Sequence, residues 1–179
     1  MGESTTQLLA GADASNGQAD APREPWTDPA PARPVPFWAS LRQDIVAHVP
    51  PEHRNRSLLK WFLVTVRIVL FSPGFGVALL YRFNHTITHY AGPLGRLIAG
   101  LINWLVHVRY LTAIAPRARI FGGLILPHPQ NIIIGSRVVI GPRAWIFQNV
   151  TMGGIPGKDG EPTVGSDVRI RCGAVICGP

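Results

Sequence analysis

The sequence predicts an α+β chain: a helical N-terminal domain followed by a parallel β-helix of hexapeptide repeats. Two observations carry this. Aliphatic side chains recur at every sixth residue late in the chain: Ile114, Ile120, Leu126, then Ile134, Ile140, Ile146, Met152, then Val164, Ile170, Ile176. A period of six is neither helical nor a simple alternation, and it marks a solenoid whose short strands stack coil on coil. Upstream, long apolar segments are separated by Pro50-Pro51, Ser72-Pro73-Gly74 and Gly92-Pro93, combinations that interrupt helices.

In chain order, residues 1–36 are rich in Ala, Gly, Ser, Asp and Pro and are predicted to be a disordered tail, because they carry too little apolar surface to offset ordering. Residues 37–112 are predicted to form the helical domain. A first helix runs from Phe37 to Val49, with Ser40 as its cap and Leu41, Ile45 and Val49 on one face. Leu58 to Phe71 is apolar except for Lys60, Thr65 and Arg67. It is shorter than the ~20 residues of a membrane span. It therefore reads as a buried helix of the bundle, or as a helix in peripheral contact with a membrane interface. A third helix covers Phe75 to Tyr90. The fourth, Leu94 to Tyr110, places Leu94, Ile98, Leu101, Leu105 and Val108 on one stripe and Arg96, Gly100, Asn103 and His107 opposite.

Residues 113–179 are predicted to form the β-helix. Its ladder slips by two residues between Leu126 and Ile134, and by six between Met152 and Val164. Small residues (Ala115, Gly135, Gly141, Gly165) follow many ladder positions and suit tight corners. Val139, Trp145 and Val150 read as outward apolar residues that a homotrimer would cover. The ladder ends at Ile176-Cys177-Gly178-Pro179 without a polar cap, which reads as a C-terminal truncation or as a coil covered by another element.

The net charge is +7, with arginines scattered along the chain. Scattered charge suits the phosphates of a nucleotide-bearing substrate or an anionic membrane face. With no basic run and no nucleic-acid motif, nucleic acid is not an expected partner. Cys172 and Cys177 form neither a disulfide framework nor a metal motif, and read as reduced packing residues of a cytoplasmic protein, free or at the inner face of the membrane. No signal peptide and no metal site are expected.

His128 is the only histidine after His107 and lies where the period slips. Histidine suits a general base, since its ordinary titration lies near neutrality. Leu126-Pro127-His128-Pro129-Gln130-Asn131 through Ile134-Gly135, then Ile146-Phe147-Gln148-Asn149-Val150-Thr151-Met152-Gly153-Gly154, and the spacing onward to Pro162-Thr163-Val164-Gly165, resemble the serine O-acetyltransferase family. The resemblance implies a left-handed coil, a trimer, acetyl-CoA as co-substrate and His128 as the catalytic base. Gly153, Gly154 and Lys158 would then face the thioester arm and its phosphates, and Glu161 would touch the acceptor. The chain departs from the family where the acceptor binds. The orienting aspartate is matched by Ala113, the acidic residue before the histidine by Pro127, and a second histidine by Glu161. The Arg-Asp-Pro-Ala stretch is matched by Val49-Pro50-Pro51-Glu52. The expected activity is O-acetylation of L-serine in cysteine biosynthesis. The alternatives are O-acetylation of a sugar hydroxyl in exopolysaccharide synthesis, or a non-catalytic trimeric scaffold.

Overall fold

The computed structural model describes residues 34–50 and 58–178. Most of the predicted disordered tail, residues 1–33, lies outside them, as do residues 51–57. Among the described residues four helices come first: α1 (Phe37–His48), α2 (Leu58–Phe71), α3 (Pro73–Tyr90) and α4 (Gly92–Tyr110). Nine short strands follow: β1 (Ala113–Ile114), β2 (Arg119–Ile120), β3 (Ile133–Ile134), β4 (Val139–Ile140), β5 (Trp145–Ile146), β6 (Thr151–Gly153), β7 (Thr163–Val164), β8 (Arg169–Ile170) and β9 (Val175–Cys177).

All strand pairing is parallel and forms three sheets, in the orders β1-β3-β6-β9, β2-β4-β7 and β5-β8. The register joins ladder residue to ladder residue: Ile114 to Ile134 to Met152 to Ile176, Ile120 to Ile140 to Val164, and Ile146 to Ile170. An isolated bridge from Ile125 to Trp145 extends the third sheet by one coil. Each coil therefore has three sides. The expected slips are corner insertions, before β3 and between β6 and β7.

The interior holds a second ladder beside the first. Two residues before each hexad position lies another inward residue, among them Ala118, Leu124, Ile132, Val138, Ala144 and Val150, all buried. Along a strand, residues i and i+2 share a face, so each side contributes two inward residues. Val150 is consequently an interior residue and not the outward one that the six-residue period alone suggested. Chain length is absorbed at corners in the left-handed backbone region, occupied by Asn131, Arg143, Asn149 and Asp167. At Gly141 the coils approach so closely that a Cβ would lie 2.6 Å from the carbonyl carbon of Gly165.

The helices differ from expectation in which face they bury. In α1 the inward residues are Ser40 and Asp44, and Ser40 is no cap: it sits inside the first turn, its N–H donating to the Pro36 carbonyl. In α4 the buried residues are Gly95, Ala99 and Val106, while the Leu94–Val108 stripe points outward. Close approach to α3 explains this: a Cβ on Gly95 would lie 2.7 Å from the Ile87 carbonyl oxygen. Leu59, Phe62, Leu63, Val69 and Leu70 of α2 are exposed too, so this helix is not buried in a bundle. Both cysteines are free and exposed instead of packed: Cys172 lies in a turn, and Cys177 is the outward neighbour of Ile176.

A buried polar cluster fastens the helices to the first coil. Asp44 Oδ1 accepts from the backbone N–H groups of Gly123 (2.7 Å) and Leu124 (2.9 Å), and its Oδ2 pairs with Arg82 Nε at 2.9 Å. Arg82 also donates to the carbonyls of Ile120 and Phe121. Beside it Tyr81 donates to the Ala118 carbonyl and accepts from Ile120 N–H, and burial pushes its phenol up to about 12.

His85 accepts from Val35 N–H through Nε2 at 3.1 Å, which leaves Nδ1 to donate to the Pro116 carbonyl at 2.8 Å. Burial, helped by His89 and Arg82, lowers its pKa from 6.5 to about 4. Between these values the unfolded chain binds the extra proton, so stability is full above pH 6.5 and declines as the pH falls toward 4. The expected loss is up to about 3 kcal/mol. It should show as a falling Tm across this window, and the slope should flatten in His85→Gln.

Candidate functional site

The first corner insertion carries His128. Backbone and side-chain anchors hold it on both flanks. On the approach side, Ser72 caps α3 by accepting from Phe75 N–H, and the first turn of α3 presses on the coil. The contact is so close that a Cβ on Gly74 would lie 1.8 Å from the Leu126 carbonyl oxygen. On the departure side, the fully buried Thr112 donates through Oγ1 to the Pro129 carbonyl (2.7 Å) and accepts from Ile132 N–H (3.1 Å). The Gln130 carbonyl accepts from Asn149 N–H, and Asn131 N–H donates to the Tyr110 carbonyl. The Asn131 and Asn149 side chains also join at 3.1 Å. Pro129 is buried, and His128 is exposed at the crest with its imidazole unengaged by the described residues. A pinned loop presenting one free imidazole is suited to taking a proton from a bound hydroxyl.

The second insertion carries the other predicted residues. Gly153 ends β6, and its carbonyl accepts from Gly178 N–H. A Cβ built on Gly153 meets no atom, so its outer face is open surface, whereas Gly154 leaves room for the Gly160 carbonyl. The loop from Gly154 to Asp159 is exposed; within it the Lys158 backbone N–H donates to the Ile155 carbonyl, and Lys158 itself is exposed. Glu161 is mostly shielded. It accepts from Arg137 N–H at 2.8 Å, lies 3.5 Å from Arg137 Nε, and packs against Gly135 and Gly154.

The chain therefore groups Gly154 with Glu161 and keeps His128 apart from them. His128 leaves the coil at the corner where the first sheet begins; Gly153-Gly154 leave at the corner where it ends, one coil later. No hydrogen bond or ion pair among the described residues links the two loops. Ala113 sits in β1, paired with Ile133, and contributes no polar atom beyond its backbone. Sequence reasoning overlooked Thr112 and Gly74. Thr112 stands two residues before the ladder residue Ile114, in the second inward ladder, which is the signal that would have found it. Among the described residues no group of histidines, cysteines and carboxylates is arranged to hold a metal ion.

No family model matches the chain. Against curated proteins it is 30% identical over 138 residues to the serine acetyltransferase of Helicobacter pylori, covering 72% of this chain and 69% of that protein. It is 32% identical over 109 residues to the serine acetyltransferase of Synechocystis sp., covering 59% of this chain and 42% of that one. Among solved structures, the serine acetyltransferase of Brucella abortus strain S19 in complex with coenzyme A superposes with a TM-score of 0.64 at 25% identity, over 80% of this chain and 54% of that one. The chain spans less than half the length of the serine acetyltransferases of Synechocystis sp. and Synechococcus elongatus, 42% and 46%.

Proposed function

This chain belongs to the serine acetyltransferase family, and we propose that it transfers the acetyl group of acetyl-CoA to the hydroxyl of L-serine with His128 as general base. The observation that carries the reading is the His128 loop, anchored on both flanks and presenting an unengaged imidazole. In the step proposed, His128 accepts the hydroxyl proton as the oxygen bonds to the acetyl carbon. The carbon–sulfur bond then breaks, and the sulfur leaves as thiolate to be reprotonated. The open face of Gly153 gives the thioester arm a close path along β6, and Lys158 offers a charge to its phosphates. Backbone N–H groups of the exposed 154–159 loop are available to a developing oxyanion.

We further read the helical segment and the coils as an N-terminal helical domain and a left-handed β-helix, as in the family, and the assembly as a homotrimer. The separation of the two loops supports the trimer: a neighbouring prism would set its Gly153-Gly154 corner beside His128. A second acceptor reading, a sugar hydroxyl, rests on Ala113 and on the engagement of Glu161 with Arg137. It leaves few groups to grip an amino acid. Acetyl-CoA consumption measured with L-serine and with a panel of sugars tests both. Turnover with serine is expected; turnover with sugars alone moves the chain to the second reading. Absence of consumption with every acceptor leaves only a non-catalytic scaffold.

Thr112→Val should lower turnover, while Thr112→Ser preserves it. Valine keeps the shape but strands the buried Ile132 N–H, at a cost of about 1–3 kcal/mol, and unpins Pro129. Separate measurement of kcat and of KM for acetyl-CoA checks this: the effect belongs in kcat.

A further inference from the structure

Two helices present apolar faces that no described residue covers. On α4, Leu94, Leu97, Ile98, Leu101, Trp104, Leu105 and Val108 are all exposed, Leu97 at 72% and Trp104 at 60%. At the angular step of an α-helix they fill one arc of about 120°. Arg109 borders this arc on one side, and His107 and Arg96 stand farther round, toward the opposite face, all exposed. On α2, Leu59, Phe62, Leu63, Val69 and Leu70 form a similar arc, bordered by Lys60 and Arg67.

The charge around these faces has one sign. Between Glu52 and Asp159 the sequence contains no acidic residue and twelve lysines and arginines. Elsewhere among the described residues, Asp44, Glu161 and Asp167 are already paired with Arg82, Arg137 and Arg143, and Asp159 stands exposed on the 154–159 loop. Among the described residues a second copy thus offers these cations one carboxylate outside an ion pair, Asp159, and two such faces brought together would oppose like charges. A phosphate-bearing lipid surface supplies both missing complements, apolar depth and negative charge.

We propose that the outward faces of α2 and α4, with Lys60, Arg67 and Arg109 beside them, dock the protein on an anionic bilayer surface. Docking is interfacial, without a span. No single described helix is long and apolar enough to cross a membrane, and the bent pair that passes by composition includes α3, whose inward face is packed on the coils. The fourteen residues of α2 lie in the plane of the headgroups, with Lys60 and Arg67 toward phosphate.

The test is flotation of the full chain with phosphatidylcholine vesicles, and with vesicles containing phosphatidylglycerol. Binding to the anionic vesicles is expected, weakened about tenfold or more at about 0.5 M salt. Arg67→Gln should weaken it about fivefold, and Leu101→Ser with Trp104→Ser should abolish it. These positions are exposed, so helix content by circular dichroism should not change. The proposal is overturned by absence of binding to anionic vesicles, or by unchanged binding in the Leu101→Ser/Trp104→Ser variant. A fall in assembly mass in that variant, without vesicle binding by the parent chain, also overturns it and assigns the face to a second copy.

Discussion

Replacing His128 by asparagine is expected to lower acetyl transfer by roughly 10²–10⁴-fold, the usual contribution of a positioned general base. Asparagine keeps polarity and approximate size but cannot take a proton at neutral pH. The fold should survive, because the side chain is exposed and the anchors of its loop (Thr112, Asn149 N–H and the Gly74 contact) do not involve the imidazole. Unchanged melting with lost turnover separates catalysis from stability. The companion substitution, Ala113→Asp, places a carboxylate in β1, where the family has its orienting aspartate. It should retain activity, since that position is only half-buried. Wild-type turnover in His128→Asn on every acceptor used by the parent chain would remove the histidine from the mechanism.

The largest expected loss of stability belongs to Asp44→Ala. The carboxylate and Arg82 are both almost completely shielded from solvent, at 1% and 3% side-chain exposure. Removing one member of a buried pair leaves the other charge uncompensated, at about 3–5 kcal/mol. Here the Gly123 and Leu124 N–H groups also lose their acceptor. Urea unfolding should show the midpoint falling with little change in slope. Adding Arg82→Leu should recover only part of the loss: it removes the stranded cation but leaves the two N–H groups without a partner.

The hexad ladder was legible because it repeats a bulky aliphatic type at fixed spacing, and its slips correctly marked both corner insertions. The second inward ladder was hidden by its chemistry. It runs through Thr112, Ala118, Ala144, Pro162 and Ala174 as well as Ile and Val, and these small or polar residues do not stand out as core. The helices were found, with ends close to those observed, from their Pro and Gly punctuation. Their buried faces were misjudged, because the packed side of α4 is made by Gly95 and Ala99, where closeness to α3 matters more than side-chain hydrophobicity. Asp44 and Arg82 are 38 residues apart, and nothing local in the sequence pairs them. His128, Gly153 and Gly154 were recognisable as a motif, but their distribution over two corners became visible only in the register of the strands.

The coil-to-coil register also sets a grammar for insertion and deletion. Ile134 and Met152 stand eighteen residues apart, whereas Ile114 to Ile134 takes twenty and Met152 to Ile176 takes twenty-four. All the extra length is spliced in at corners, where it leaves the stacking of the sides untouched. A single residue added within a side would instead turn its inward pair outward along the strand. Evolution can therefore lengthen this coil cheaply at just a few places. His128 and Lys158 both stand in such additions, so the positions free to change in length are also those where new chemistry can be grafted without rewriting the core.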